Sequence, residues 1–358
     1  MKKALIFNPY FNTLGGGEYY TISVANFLIK NGFKVEIAWK ETDLLKKIYY
    51  RFNLNLENKV QITNLAYNIF SKKSSLFDKF KLTSKFDIIF YVSDGSIPFL
   101  FSKNNFIHFQ VPFRNVNGRN FLNQIKLKNI KIICNSFFTK SFIDNEFNAK
   151  SKVIYPPLLS KFPIFKKTKK ENIILSVGRF DQIMHAKKQD KLVIAYKQMV
   201  DKGLKNWQLV LLGGLMKENS YFEKLKGLSK GYPVKIITNV DFKTLVNYYQ
   251  KAKIYWHAAG FEEDLRCNPE KAEHFGISVV EAMASKCVPL VFNGGGLPEI
   301  VDNQINGYLW KTISELKTLT KKLIGKRIKL NKLAKNAYLK SQKFSQKIFE
   351  ENLKRTLF

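Results

Sequence analysis

An apolar run, KALIFN, opens the chain. It is followed by a glycine loop, TLGGGE, an amphipathic stretch, YYTISVANFLIKNG, and a second apolar run, KVEIAW. Short apolar runs bounded by turn residues predict buried strands, and apolar residues at helical spacing predict a helix, so this stretch reads as a β-loop-α-β unit. The alternation continues through KFDIIFYVSDG, NNFIHFQVPF and NIKIICNS. It then breaks at KVIYPPLLSKFPIFKKTKKEN, which holds three prolines and a lysine cluster. Proline stiffens the backbone and removes helix donors, so residues 155–171 read as an interdomain linker. The pattern restarts with NIILSVGRF as strand, KLVIAYKQMVDKG as helix, WQLVLLGG as strand, YFEKLKGLSKG as helix and VKIITNV as strand. KTLVNYYQKAK (helix), IYWHAA (strand), ISVVEAMASK (helix) and VPLVFN (strand) follow. From Ile313 onward the chain is polar and lysine-rich with helical periodicity, and is expected to pack across the back of the domains.

Strands alternating with helices predict α/β architecture: parallel sheets with helices on both faces. The expected organisation is a first doubly wound domain at 1–158, a linker at 159–170, a second domain at 171–335, and a C-terminal helix at 336–358 that packs back on the first domain. Two such domains facing each other make a cleft at their strand carboxyl ends, where ligands bind. The length of 358 residues and a hydrophobic content of 45% support two well-cored domains.

Composition changes the picture in one respect. Lys+Arg 60 against Asp+Glu 28 gives a formal charge of +32, an excess that attracts anionic lipid, nucleic acid or phosphorylated substrates. Lysine far outnumbers arginine and Asn, Ile and Phe are abundant, so a coding bias is the competing explanation. The lysines run along the whole chain without a helix-turn-helix, zinc-finger or RNP-like pattern, which favours a membrane surface over nucleic acid. Cys134, Cys267 and Cys287 show no CxxC spacing, so neither a disulfide framework nor a zinc site is indicated, and a reducing cytosol is the expected compartment. The opening apolar run is too short for a signal peptide, and no apolar stretch is long enough to span a bilayer.

Three stretches carry candidate chemistry. Gly15, Gly16 and Gly17 follow a strand and precede a helix, which suits either an anion cradle of backbone N–H groups or a tight turn; G-x-G-x-x-G and the P-loop spacing are absent. In SVGRFDQIMHAKKQD, Arg179 ends a strand while Lys187 and Lys188 begin a helix. A guanidinium fork plus an ammonium is what a diphosphate leaving group needs, although a solvated basic face is the alternative. In AEHFGISVVEAMASKCVPLVFNGGG, Glu273 falls in the loop ahead of a helix that begins near Ile277 or Ser278, and Glu281 falls in the helix's first turn. Glu281 suits the two hydroxyls of a ribose. Glu273 reaches towards another hydroxyl-bearing group, with the N–H groups near Phe275 and Gly276 pointing into the cleft. A carboxylate near a helix N-terminus explains Glu281 alone, but not the pair with its glycine turn.

On these residues the chain resembles the retaining GT-B glycosyltransferases of family 4, the group 1 glycosyl transferases. GGGE, Asn135–Ser136 with VIYPP, VGRF…KKQD, YWHAAGF, EHFGISVVEAMA and GGGLPEIV carry the likeness, with the E-x7-E element as its most specific part. EHFGISVVEAMA is similar to members resembling lipid-linked oligosaccharide mannosyltransferases. The resemblance implies a hexose moved from a nucleotide diphosphate sugar to a hydroxyl of a saccharide or lipid-linked acceptor in cell-surface glycan synthesis, with retained configuration and no cofactor or metal. Gly15 and Gly16 would approach the donor diphosphate, and Arg179 and Lys187 would neutralise it. Glu273 would meet the sugar hydroxyls beside the backbone of Phe275, Gly276 and Ile277, and Glu281 would hold the ribose. His108 matches a histidine beside the transferred sugar, with Gln110 as the alternative after a small register shift. Either Lys187 or Lys188 could grip the phosphate; Lys187 is the expected one.

His257 reads as strand-end packing, His185 as exposed and His274 as either. FEEDL at 261–265 reads as an acceptor contact or a solvated cluster. No Asp-x-Asp is present. The rival functions are a nucleotide-sugar epimerase of the same fold and a basic nucleic-acid-binding protein. The enzyme is expected in the cytoplasm, peripheral on the inner face of the membrane.

Overall fold

The computed structural model describes residues 1–71, 74–159, 168–181 and 186–358. The chain divides into two units, one of Met1–Leu159 with Gln346–Phe358 and one of Ser160–Ser345. Most of the expected linker falls outside the described residues.

The first unit holds seven strands: β1 (Lys3–Phe7), β2 (Lys34–Ala38), β3 (Val60–Ile62), β4 (Ile88–Val92), β5 (Asn104–Phe109), β6 (Ile130–Cys134) and β7 (Lys152–Val153). They form one parallel sheet in the order β3-β2-β1-β4-β5-β6-β7. Every residue of β4 is buried, because helices cover both faces and a strand between two layers must be apolar throughout.

The second unit holds β8 (Glu171–Val177), β9 (Gln208–Gly213), β10 (Val234–Thr238), β11 (Ala252–His257), β12 (Val288–Phe292) and β13 (Tyr308–Trp310). Their order is β10-β9-β8-β11-β12-β13, again all parallel. Both sheets are doubly wound and Rossmann-like, as the alternation predicts. Strand order reverses between β1 and β4 in one sheet and between β8 and β11 in the other. Such switch points leave a crevice outside the strands' carboxyl ends.

The edge strands β3, β7 and β13 span two or three residues each, too few to register as a period in the sequence. The carboxyl-terminal region also differs from the expected single helix at 336–358. A helix over Arg327–Ser341 belongs to the second unit, and a separate helix, Gln346–Leu357, belongs to the first. The later helix is held there by its own apolar stripe. Phe349 meets Tyr20 edge-on with centroids 5.0 Å apart, Phe358 stacks on Phe33 at 5.7 Å, and Glu350 pairs with Lys30 at 2.8 Å.

Candidate active site

At the end of β8 the backbone carries Arg179 and Lys187 into a cluster of charges. Gln189 opens the helix Gln189–Asp201, and its Nε2 donates to the carbonyl of Arg179 at 3.0 Å, anchoring the strand-end loop. Arg179 is the more exposed cation, its Nε 3.7 Å from Asp181 Oδ2. Lys187 is nearly covered, and its Nζ donates to Glu273 Oε2 at 2.6 Å. Lys188 goes elsewhere: its Nζ lies 2.6 Å from Glu263 Oε1. Hydrogen bonds from Lys188 and Lys271 hold the Glu263 carboxyl below the usual carboxylate range. Glu262 pairs with Lys191 at 2.7 Å. Glu262 and Glu263 of FEEDL therefore neutralise lysines at the start of the helix Gln189–Asp201, and the adjacent Lys187 and Lys188 are sorted onto different carboxylates.

Glu273 sits on the turn before the helix Ile277–Ala284. Gly276 caps that helix with φ of +108°, a conformation that a side chain strains. The triple glycine packs directly beneath the turn. Gly296 N donates to Glu273 O at 2.8 Å, and a Cβ on Gly295 would lie 2.2 Å from that same carbonyl oxygen. Glycines follow the two acids for a steric reason: the chain around residue 295 must pass against the peptide that presents Glu273. His274 is buried, and its Nε2 donates to Glu270 O at 3.0 Å.

Glu281 is not in the first turn as expected. With the helix starting at Ile277, it opens the second turn. It is buried, and its Oε2 accepts from Tyr249 Oη at 2.8 Å. Burial and the Glu281 charge push the Tyr249 hydroxyl well above its ordinary pKa, so it remains a donor. Tyr255, on β11, ties the cluster together. Its hydroxyl donates to Val177 O at 3.2 Å, at the end of β8. Burial raises its pKa, hydrogen bonding from Ser278 and the Val177 backbone counters that, and the charges of Glu281 and Glu273 add to the rise. One tyrosine thus stands within the field of both acids and against the strand that carries Arg179.

Period-2 alternation along β11 sends Ile254 and Trp256 into the core and leaves Tyr255 and His257 on the other face, ring centroids 6.5 Å apart. His257 Nε2 lies 2.9 Å from Glu273 Oε2 but is misaligned for a hydrogen bond, and neither of its ring nitrogens has a hydrogen-bond partner among the described residues. The alternation in AKIYWH carries the signal for Tyr255 and the orientation of His257, whereas Tyr249, on the helix Phe242–Lys251, has none in the sequence.

In the first unit the glycine loop leads into the helix Gly16–Lys30 with Gly15 as its cap. The buried Glu18 reaches back across the turn: its Oε2 accepts from Gly15 N at 2.6 Å and from Thr13 Oγ1 at 2.7 Å. The Gly15 amide, expected to face a diphosphate, is satisfied by the protein's own carboxylate here. His108 requires correction. It is fully buried, its ring stacked on Tyr20 at 4.0 Å and its Nδ1 3.2 Å from Ile133 O. Burial lowers its pKa to about 3, so it is a neutral residue in the core of the first unit. Packing explains the burial: β5 is covered on both faces, and the Tyr20 ring and the Ile133 carbonyl close over the imidazole. Gln110, the alternative, stands at the glycine loop, donating from Nε2 to Gly17 O at 2.9 Å.

Residues 160–340 match the model for the glycosyl transferases group 1 family. The chain belongs to that family. Among the relatives of this chain is the GDP-Man:Man(3)GlcNAc(2)-PP-Dol alpha-1,2-mannosyltransferase of Dictyostelium discoideum, 28% identical over 187 residues. That match covers 50% of this chain and 35% of the relative; the corresponding mouse enzyme is spanned over 33% of its length. An uncharacterized glycosyltransferase of Haemophilus influenzae is 26% identical over 328 residues, 86% of each chain. Two solved structures share the GT-B fold. The Rickettsia africae glycosyltransferase has a TM-score of 0.75 at 17% identity, covering 99% of this chain and 97% of its own. The Anabaena protein HepE, in complex with UDP and glucose, has a TM-score of 0.71 at 16% identity, covering 100% and 99%.

In the second unit a shallow pocket of about 450 Å³ opens near Lys169–Ile173 and Asn206–Gln208. It lies at the amino end of β8, the wrong end of the sheet for the charge cluster. His185 falls outside the described residues. Among the described residues no group of three or more His, Cys, Asp or Glu side chains is arranged to hold a metal ion, and no helix is long and apolar enough to cross a membrane.

Proposed function

We infer that this glycosyltransferase moves a hexose from a nucleotide diphosphate sugar to a hydroxyl of a saccharide or lipid-linked acceptor, with retained configuration and without a metal. The observation that carries the reading is the nearly buried Lys187–Glu273 pair at 2.6 Å, set on a glycine-built turn ahead of the helix that carries Glu281. An ammonium held by one carboxylate is a site prepared for exchange. A diphosphate brings more negative charge than Glu273 and draws Lys187 across, while Arg179 at the neighbouring strand end offers a bidentate fork. The released Glu273 is then free to accept from sugar hydroxyls. Glu281 accepts from a ribose as it now accepts from Tyr249. As the sugar–phosphate bond breaks, charge grows on the leaving group, and cations fixed in advance stabilise that charge without reorganising.

No carboxylate is placed as a covalent nucleophile in this reading, so the departing phosphate itself takes the acceptor's proton on the face it leaves. The first unit takes the acceptor, and Gln110 rather than His108 is its candidate contact at the glycine loop. The acceptor and the cytoplasmic, membrane-peripheral location rest on the likeness to enzymes of lipid-linked oligosaccharides and on the basic charge. A screen of nucleotide sugars for donor hydrolysis, followed by anomeric analysis of the transferred product, tests the reading. Turnover of at least one donor, unaffected by EDTA and giving the donor's own configuration, is expected; an inverted product or a strict metal requirement overturns it.

A further inference from the structure

The first unit carries an exposed aromatic surface interleaved with lysines. On the helix Leu76–Thr83, the side chains of Leu76, Phe77 and Phe80 share one face by their i, i+1, i+4 spacing and all are exposed, Phe77 to 70%. On the helix Phe121–Leu127, Phe121, Leu122 and Ile125 repeat that spacing, and Phe121 is 80% exposed. The segment before β5 joins them. Phe80 meets Phe101 edge-on at 5.4 Å, Phe101 stacks on Phe99 at 6.3 Å, and Lys126 Nζ lies 4.9 Å over the Phe99 ring. These contacts link the first helix through Phe101 and Phe99 to Lys126 on the second, and exposed apolar clusters on a domain surface mark interaction sites.

The charge on this surface is one-sided. Lys79 lies close enough to Lys126 to lower its pKa further, after burial, which is the larger cause. Among the described residues neither of them, nor Lys81, Lys85 or Lys128, has an acid within ion-pair distance. The acids that are nearby are occupied: Asp78 turns back onto Ser75, its own helix cap, and Asp87 is taken by Lys103 at 2.8 Å and by Lys3 N at 2.8 Å. Two like charges held together among phenylalanines, with no internal counter-ion, are complementary to an anionic surface that also accepts apolar side chains.

We propose that this face, built from Leu76, Phe77, Phe80, Phe121, Leu122 and Ile125 with Lys79 and Lys126 among them, docks the enzyme on an anionic lipid bilayer. The phenylalanines enter the headgroup boundary and the lysines meet lipid phosphates. This deepens the reading above, on which it rests only for the link to a lipid-linked acceptor.

Sedimentation of the full chain with vesicles, in the absence of any nucleotide sugar, tests it. Vesicles of phosphatidylcholine and phosphatidylglycerol in equal parts should bind the protein at low salt, and phosphatidylcholine alone should not. The pair Phe77→Ser with Phe121→Ser should weaken partitioning at least about tenfold, and so should Lys79→Glu with Lys126→Glu, which should also flatten the salt dependence. Phe77 and Phe121 are exposed and Lys79 and Lys126 half-buried, and a thermal melt confirms the variants' folding. Wild-type protein that stays in solution, or variants that bind as it does, overturns the proposal. So does patch-dependent self-association in sedimentation equilibrium, which would assign the face to a second copy. Donor hydrolysis in solution should be unchanged in both pairs. Loss of vesicle binding with hydrolysis intact therefore separates this surface from the active-site reading, whose own failure would appear as absent hydrolysis with binding retained.

Discussion

His108 and His257 stand at the carboxyl ends of central strands in the two units, β5 and β11, and both are buried. His108 faces aromatic rings and a single backbone carbonyl. His257 faces Glu273, which in turn holds Lys187. The two residues are alike in type, depth and position, but only His257 is one carboxylate away from the charges that would meet a donor. What a buried histidine can do is set by the side chains opposite it, and those come from distant parts of the chain. A similar contrast separates two surfaces: at the strand ends of the second unit Lys187 and Lys188 meet acids, while Lys79 and Lys126 stand among the aromatic residues of the first.

The comparison can be broken most severely at Lys187. Lys187→Ala should lower turnover at least about a hundredfold, as loss of one donor to a developing charge does, with the protein still folded. Lys188→Ala, whose partner is Glu263, should cost under about tenfold by the same reasoning. Steady-state kinetics on the two variants, with thermal unfolding beside them, decides; equal losses would remove the sorting of the two lysines. Next in size is the turn itself. Gly295→Ala places a methyl against the Glu273 carbonyl and should destabilise the second unit by more than about 2 kcal/mol in urea unfolding.

His108 sharpens the contrast through pH. Its folded pKa of about 3 lies below an unfolded value of about 6.5. Between the two, the unfolded chain binds a proton that the folded chain refuses. The stability it contributes is whole above about pH 6.5 and drains as pH falls towards 3, by about 1.4 kcal/mol per pH unit for this one group. His108→Phe should remove that part of the acid slope in unfolding curves while leaving turnover within about threefold, far less than a lost catalytic group costs. A hundredfold loss of turnover would restore His108 to the site. The smallest effect belongs to Tyr249→Phe, which strips one donor from Glu281 and should cost about 1–2 kcal/mol of stability, read by thermal unfolding in the absence of donor.

Much of this was legible before the structure. The alternation of apolar runs and amphipathic stretches predicted both sheets, and the spacing of Glu273 and Glu281 around Gly276 placed one acid ahead of a helix and the other within it. The failures share a cause. Glu281 was put one turn too early because a helix start cannot be located to a residue from its pattern alone. For His108, a motif position does not say how deeply the side chain is buried. The aromatic surface was visible only as a composition, since Phe77, Phe101 and Phe121 lie far apart in sequence.

By itself, then, the sequence determined what is local: which runs become strands, where a glycine can turn the backbone, and how far apart two acids stand. Periodicity and steric preference act over a few residues and need no partner. Only the tertiary structure decided which charges meet: Lys187 with Glu273, Lys188 with Glu263, and Tyr249 with Glu281, pairs separated by 86, 75 and 32 residues. Such pairs form because close packing of the sheet and its helices leaves each buried charge or hydroxyl a small set of neighbours, and burying such a group without a partner is costly.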